Sequence, residues 1–467
     1  MKRSDKDFAL KYHEDIRPGK IEVMPTKPYA DQRDLSLAYS PGVAWPCLEI
    51  KDKPEDAYRY TDKGNLVAVI SNGTAVLGLG NIGPLAAKPV MEGKALLFKI
   101  FAGIDAFDIE VDLTDIDKFV DTVKAISPTF GGINLEDIKS PDCFYIEKRL
   151  KEECNIPIMH DDQHGTAIIS GAGLLNALEI QDKKIEDIKM VVNGAGAAAI
   201  ACTKLYMKLG VQKRNIIMCD SRGPITEKRR LNGDHLNDFK KEFITDKDID
   251  TLADALVGAD VFVGLSVKDV LTPEMIRTMA PKPIVFALAN PDPEISYEKA
   301  INAVPDIIFA TGRSDLPNQV NNVLGFPYIF RGALDVHASA INEEMKLAAV
   351  NAIADLAKQP VPDVVNDVYQ VNNLTFGPLY FIPKPVDPRL ITEVSAAVAK
   401  AAIESGVARK TITDWTAYKN ELRELLGQET KLTQKLYDTA RAHPQRVVFA
   451  EGIHPTMLKA AVQAKAE

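Results

Sequence analysis

The run Met190-Val-Val-Asn193-Gly194-Ala-Gly196-Ala-Ala-Ala199-Ile-Ala-Cys-Thr-Lys-Leu-Tyr206 decides the fold. Apolar residues of strand type lead into two glycines one residue apart. A small residue stands where a third glycine would be, and a proline-free stretch of helix type follows. In a dinucleotide site the first glycine makes the tight turn and the second lets the main chain approach a pyrophosphate. The third small residue lets helix and strand pack closely, with the pyrophosphate at the helix amino terminus. Gly194, Gly196, Ala197 and Ala198 are therefore candidate cofactor contacts. The next strand-like run ends at Asp220, near the ~20-residue spacing at which a ribose-binding acid follows.

Working outward, apolar runs at Met190–Val192, Ile216–Cys219, Val261–Leu265, Ile284–Leu288 and Ile307–Ala310 alternate with helical or loop segments. That rhythm predicts βαβ units and a parallel sheet covered on both faces. A helix over about Leu390 to Ser405, between Pro388 and Gly406, closes the region. The expected fold class is α/β, a Rossmann-like doubly wound parallel-sheet domain over residues 161–430. A smaller N-terminal α/β domain over 1–160 holds short apolar runs at Leu66–Ile70, Val76–Leu79 and Ala106–Leu113. Residues 431–467 read as a linker with a polar helical stretch, a strand at Arg446–Ala450 and a helix at Thr456–Ala466. One strand and one helix cannot bury a core alone, so the segment reads as the start of a further domain or as a unit packed on the preceding one.

A second glycine run, Gly78-Leu-Gly80-Asn-Ile-Gly83, is followed by Pro84 and Pro89. Its irregular continuation suits an active-site floor better than a cofactor loop. The 467 residues allow two to four domains, and 46% hydrophobic with 26% charged residues is ordinary for a globular chain. With 56 Lys and Arg against 65 Asp and Glu, the net charge of −9 offers no general attraction to nucleic acid or an anionic membrane. Five cysteines without a C-x-x-C pair argue against a disulfide framework or zinc site and for a reducing, cytoplasmic setting. No signal-peptide core and no membrane span are expected.

Two acidic clusters stand out, Glu136-Asp137 and Asp161-Asp162, the latter in His160-Asp-Asp-Gln-His-Gly165-Thr166. Singly, the first reads as surface acids, and Asp161 reads as the cap of a helix beginning near Thr166. Jointly, adjacent carboxylates without cysteine suggest a hard divalent ion, Mg²⁺ or Mn²⁺, held by oxygen. Cofactor choice is open on the residues alone. Asp220 suits the 2′-hydroxyl of NAD, whereas Arg222 suits the 2′-phosphate of NADP. The basic run Lys228-Arg229-Arg230 adds positive charge or is a solvated loop.

At this point the chain resembles the malic enzymes. The matching stretches are Ser36-Leu-Ala-Tyr39-Ser-Pro-Gly42, Val76 to Gly83, Pro89-Val-Met-Glu-Gly93-Lys94, Leu135-Glu136-Asp137, Asp161 to Thr166, Gly194-Ala-Gly196-Ala-Ala, Ala287-Leu-Ala-Asn290-Pro291 and Asn321-Asn322. They occur in family order over about residues 15–400. The resemblance implies oxidative decarboxylation of malate to pyruvate and CO₂, with Lys94 as general base and Tyr39 as the acid that protonates the enol. Asp161 would tune Lys94, and Glu136, Asp137 and Asp162 would hold the metal. Asn290 and Asn322 would bind substrate, Asn290 also reaching the nicotinamide.

The resemblance also implies NADP, with NAD as the alternative, a homodimer or higher homo-oligomer, and no nucleic-acid or membrane partner. The closing Arg446-Val-Val-Phe-Ala-Glu-Gly452 resembles the opening of the phosphotransacetylase-like domain of larger members, so the chain reads as a truncated form. Ala75 departs from the pattern, standing where many larger members carry an Arg for a malate carboxylate. Rival readings are a metal-independent amino-acid dehydrogenase and a catalytically silent assembly module.

Overall fold

The computed structural model describes residues 3–427 apart from 77, 235 and 372, together with 439–440, 443–450, 457–458, 460–461 and 464. It divides into two compact units. The first comprises residues up to 160 with 333–341 and 407–410. The second comprises 161–332, 342–406 and the described residues beyond 410. The excursions 333–341 and 407–410 interrupt the continuous 161–430 region expected from the sequence. Arg409 ties them in, its guanidinium donating to the carbonyls of His337, Ala338 and Asn155. His337 stacks on Tyr58 with ring centroids 4.3 Å apart.

The first unit is built on β1 (Leu66–Ser71), β2 (Asp105–Glu110), β3 (Gly132–Leu135) and β4 (Ile158–His160), all parallel in the order β2-β1-β3-β4. Every residue of β1 is buried, as its unbroken apolar run requires of a strand covered on both faces. The helix Pro84–Ala102 has proline in its first turn, where a missing N–H costs nothing. Its buried face is Ala87, Met91, Lys94, Ala95, Phe98 and Ala102, so Lys94 lies on the apolar stripe. The apolar run Val76–Leu79 forms no strand among its described residues, and Val76 makes only an isolated bridge to Gly80. Gly78 and Gly80 take φ of 78° and 77°, outside the extended region a strand needs. The helices Gln32–Ala38 and Ala44–Asp52 bury no residue.

The second unit carries β5 (Met190–Asn193), β6 (Ile216–Asp220), β7 (Gly223–Pro224), β8 (Val261–Gly264), β9 (Ile284–Ala287) and β10 (Ile308–Thr311) in the order β10-β9-β8-β5-β6-β7. Helices between successive strands give the doubly wound arrangement. The sheet is mixed rather than wholly parallel, because β7 turns back on β6 through Ser221 and Arg222 and pairs antiparallel, helped by Gly223 at φ 99°. Val191, Ile217, Phe262, Val285 and Phe309, one from each long strand, share one buried apolar cluster.

The helix after β4 starts at Asp161, not near Thr166, with Asp161 and Asp162 in its first turn, where acids complement the helix amino end. The helix Leu390–Glu404 forms as expected, and Gly406 follows at φ 77°. The strand expected at Arg446–Ala450 does not form. Val447 and Val448 are exposed there, and no neighbouring strand among the described residues offers a hydrogen-bonding edge. Met457, Leu458, Ala460, Ala461 and Ala464 are helical. The polar helix expected from about 430 falls mostly outside the described residues. No described helix is long and apolar enough to cross a membrane.

Candidate active site

In the first unit the polar residues gather past the carboxyl ends of β1 and β3, where open parallel sheets bind ligands. The loops after these strands are zipped together. Ala75 N–H donates to Asp137 O at 3.0 Å, and Lys139 N–H to the Thr74 hydroxyl at 3.0 Å. Asp137 takes a left-handed φ of 54° to make that turn. Gly73 makes the other close approach, since a Cβ there would stand 2.2 Å from Gly83 O. Against this frame Lys94, 9% exposed, sets its ammonium 2.9 Å from Glu136 Oε1. Asn134 Nδ2 donates to Glu136 Oε2 at 2.8 Å, fixing the carboxylate from the other side. Glu136 and Asp137 are both buried. Buried oxygen donors without sulfur fit Mg²⁺ or Mn²⁺ rather than zinc. Leu135 and His160 are register partners at the ends of β3 and β4, and Glu136-Asp137 follow directly on β3. Tyr39 caps the helix Gln32–Ala38 and is 77% exposed.

In the second unit, Asp161 is fully buried at the start of its helix. Asn322 Nδ2 donates to Asp161 Oδ2 at 3.1 Å, and the Thr166 hydroxyl donates to Asn322 Oδ1 at 3.2 Å. Gly165 lies between these residues, and a Cβ there would stand 2.2 Å from Asp161 Oδ1 and 2.7 Å from Asn322 Cγ. The Asp161 to Thr166 motif and Asn322 are thus one constellation. Asn290, on a cis peptide to Pro291 past the end of β9, occupies space left by Gly312, where a Cβ would be 2.9 Å from its Oδ1.

The Gly194-Ala-Gly196 run makes a tight turn into a helix. Gly194, at φ 129°, donates its N–H to Cys219 O at 2.9 Å, and a Cβ there would meet Leu265 O at 2.4 Å. Gly196 caps the helix Ala197–Leu209, and nothing lies within 4 Å of where its Cβ would stand. The helix amino end, with Ala197 and Ala198 in its first turn, is open to an anion. Asp220 ends β6, but its carboxylate is engaged by Arg229, Lys240 and the Arg222 amide. Burial pushes its pKa up, and these hydrogen bonds and the Lys240 charge outweigh burial, leaving it below the usual range. The basic run is not a loop of free charge. Lys228 pairs with Asp250, Arg229 with Asp220 and Asp234, and Arg230 with Glu227.

Residues 18–151 match the model of the malic enzyme N-terminal domain, and residues 163–377 match that of the malic enzyme NAD-binding domain. The NADP-dependent malic enzyme of Escherichia coli K12 is 59% identical over 456 residues, which are 97% of this chain and 60% of that protein. The NADP-dependent malic enzyme of Halomonas elongata is 58% identical over 88% of this chain and 96% of its own length. The crystal structure of a malic enzyme from Pyrococcus horikoshii aligns with a TM-score of 0.81 at 43% identity, covering 91% of this chain and 96% of that one. The chain belongs to the malic enzyme family. It spans about 60% of the length of the Escherichia coli relative.

Within that family frame, several residues that shape the site carried no sequence signal of their own. Glu294 is fully buried and accepts the amides of Ser266 and Ala289, both at 3.0 Å, linking the loops that follow β8 and β9. Its Pro-Asp-Pro-Glu setting reads only as a turn. Arg229 lay inside a basic run whose pairing no spacing rule could predict. Asn134 precedes the Glu136-Asp137 pair in sequence, but no spacing rule announces that its amide fixes Glu136.

Proposed function

We propose that the chain oxidises and decarboxylates malate to pyruvate and CO₂, reducing NADP in the presence of Mg²⁺ or Mn²⁺. The observation that carries this reading is the buried Lys94–Glu136 pair at the carboxyl edge of the first sheet, with a dinucleotide loop in the second unit. In this reading the first unit is the substrate domain and the second the dinucleotide domain. Glu136, Asp137 and Asp162 hold the divalent ion. The names of the relatives support NADP, as does the cationic setting of Asp220. When bound, the ion would supply Lewis acidity for the decarboxylation, and the dinucleotide would serve as hydride acceptor.

Lys94 accepts the C2 hydroxyl proton at Nζ, and Glu136 and Asp161 hold it in place and set its basicity. After CO₂ leaves, Tyr39 returns a proton to C3 of the enol. Asn322, fixed by Asp161 and Thr166, and Asn290 orient the substrate, Asn290 on its nicotinamide side. With Ala75 in place of an arginine, the malate carboxylate falls to Asn322 and to main-chain amides near Gly78–Gly83. Leu35, Leu37, Tyr39, Trp45 and Leu48 are exposed on helices that bury nothing. A second copy of the chain covering this face would shield Tyr39 and gives the homodimer. The cytoplasm is the expected compartment.

The test is absorbance at the reduced-nicotinamide band with malate and Mn²⁺, run with NADP and with NAD. Turnover is expected with NADP, to be abolished by excess chelator and to fall to no more than a few per cent in Lys94→Ala, which still binds dinucleotide. Full activity in chelator would remove the metal assignment, and an active Lys94→Ala would remove the base.

A further inference from the structure

Asp220 stands where an acid would accept the ribose 2′-hydroxyl of NAD, yet it has no capacity left. Its Oδ1 accepts from Arg229 at 2.9 Å and from the Arg222 amide at 3.0 Å. Its Oδ2 accepts from Lys240 at 3.1 Å and from Arg229 at 3.3 Å. A carboxylate offers about four lone-pair sites, and four donors fill them. Arg229 is equally committed. Besides Asp220 it donates to Asp234, at 2.9 Å from Nε, and to the carbonyls of Gly223 and Pro224. Its side chain is 17% exposed. Arg222 differs, with a side chain 71% exposed and one terminal nitrogen on Asp234 at 2.6 Å. The group holds three cations, Arg222, Arg229 and Lys240, against two acids, Asp220 and Asp234.

We propose that Arg229 is the residue that sets the choice of dinucleotide, as a positioning residue acting through Asp220. Clamping Asp220 together with Lys240, it removes the acceptor that would select a 2′-hydroxyl and cancels the charge that would repel a 2′-phosphate. Arg222, anchored through Asp234 at the tip of the β6–β7 turn, then meets the phosphate with its open donors. A bidentate guanidinium is suited to each task, and lysine would not replace it at the clamp. The inference rests on the dinucleotide reading given above and deepens it.

Calorimetric titration of the full chain with NADP, NAD and 2′,5′-ADP, without malate, separates the two. Failure of the unsubstituted chain to bind any of the three sinks the dinucleotide reading itself. In Arg229→Met, NADP and 2′,5′-ADP should bind roughly 10- to 100-fold more weakly, with NAD within about threefold, as expected for one uncovered charge near a phosphate. Asp220→Asn/Arg229→Met should recover most of the loss. Equal weakening of NAD and NADP, or no recovery in the double variant, overturns the proposal. If Arg229→Met shows no cooperative melting, Asp220→Asn alone decides. Tighter NADP binding is expected as the opposing charge goes, and a tenfold loss of NAD binding would show Asp220 to be a ribose ligand.

Discussion

Replacing Gly165 by alanine should separate the chemistry of this site from its stability. The added Cβ would stand 2.2 Å from Asp161 Oδ1 and 2.7 Å from Asn322 Cγ, against about 3.4 Å for ordinary contact, so something must move by about 1.2 Å. Asp161 is fully buried and cannot swing into solvent. The Asn322–Asp161 hydrogen bond is therefore the element that breaks. Losing a bond to a charged group costs about 1.5–3 kcal/mol, and alanine in a helix returns about 0.5–1 kcal/mol. The net loss is about 1–2 kcal/mol, or roughly 2–8 °C in melting temperature for a unit of this size. Catalysis should suffer more, because a displacement of about 1 Å in a substrate-orienting group costs on the order of 100-fold. Gly171, on the same helix, is the control. A Cβ there meets only the side chains of Leu209, Leu205 and Val350 at 3.3–3.6 Å, so Gly171→Ala should be neutral or slightly stabilising. Malate turnover and thermal melting of both variants decide the matter. Gly165→Ala keeping a third of the turnover and the full melting temperature would refute the reasoning.

Gly264→Ala would place a Cβ 2.3 Å from the Glu294 carboxyl carbon. Displacing that carboxylate from the Ser266 and Ala289 amides should cost about 1–3 kcal/mol and weaken dinucleotide binding roughly tenfold, read by melting and calorimetry. Unchanged binding would mean the two loops hold their places without it. Glu110 gives a pH dependence. Burial, then a hydrogen bond and charge from Asp108, push its carboxyl up to about 7 from 4.5, against the pull of Lys88. Its protonated form belongs to the folded state, so the stability it contributes is full below about pH 4.5 and is lost as pH rises towards 7. Glu110→Gln should therefore gain in melting temperature over the unsubstituted chain between pH 5 and 7.5, and parallel curves would exclude the assignment.

Strand positions were legible where the apolar runs were unbroken. Met190–Asn193, Ile216–Asp220 and Val261–Gly264 lie within a residue of their expected places because burial on both faces leaves no polar residue to blur the pattern. Leu66–Ser71 was equally plain. The apolar run Val76–Leu79 is no strand because it sits on glycine-made turns, where φ forbids one. The antiparallel β7 was invisible, since two residues carry no periodicity. The helix start was expected near Thr166 and lies at Asp161, and the space beside Gly165 is taken by Asp161 and Asn322.

The same packing recurs in the second unit. At Gly165, Gly264 and Gly312 the missing Cβ is not a licence for unusual backbone, since none of the three has a positive φ. Each instead yields its space to a polar side chain arriving from another segment, Gly165 to Asn322 (and to Asp161 one turn back on its own helix), Gly264 to Glu294, and Gly312 to Asn290. Glycines at 194 and 196 belong to a local pattern of turn and helix entry, so their spacing announces them. The other three are required by partners as distant in sequence as Asn322, and no window along the chain contains both members of such a pair. Polar groups held this way are fixed by the volume left open beside them as much as by their hydrogen bonds. Adding one methyl group at any of these glycines is therefore a more searching test of the site than removing a side chain, because it moves a carboxylate or amide while leaving its chemistry intact.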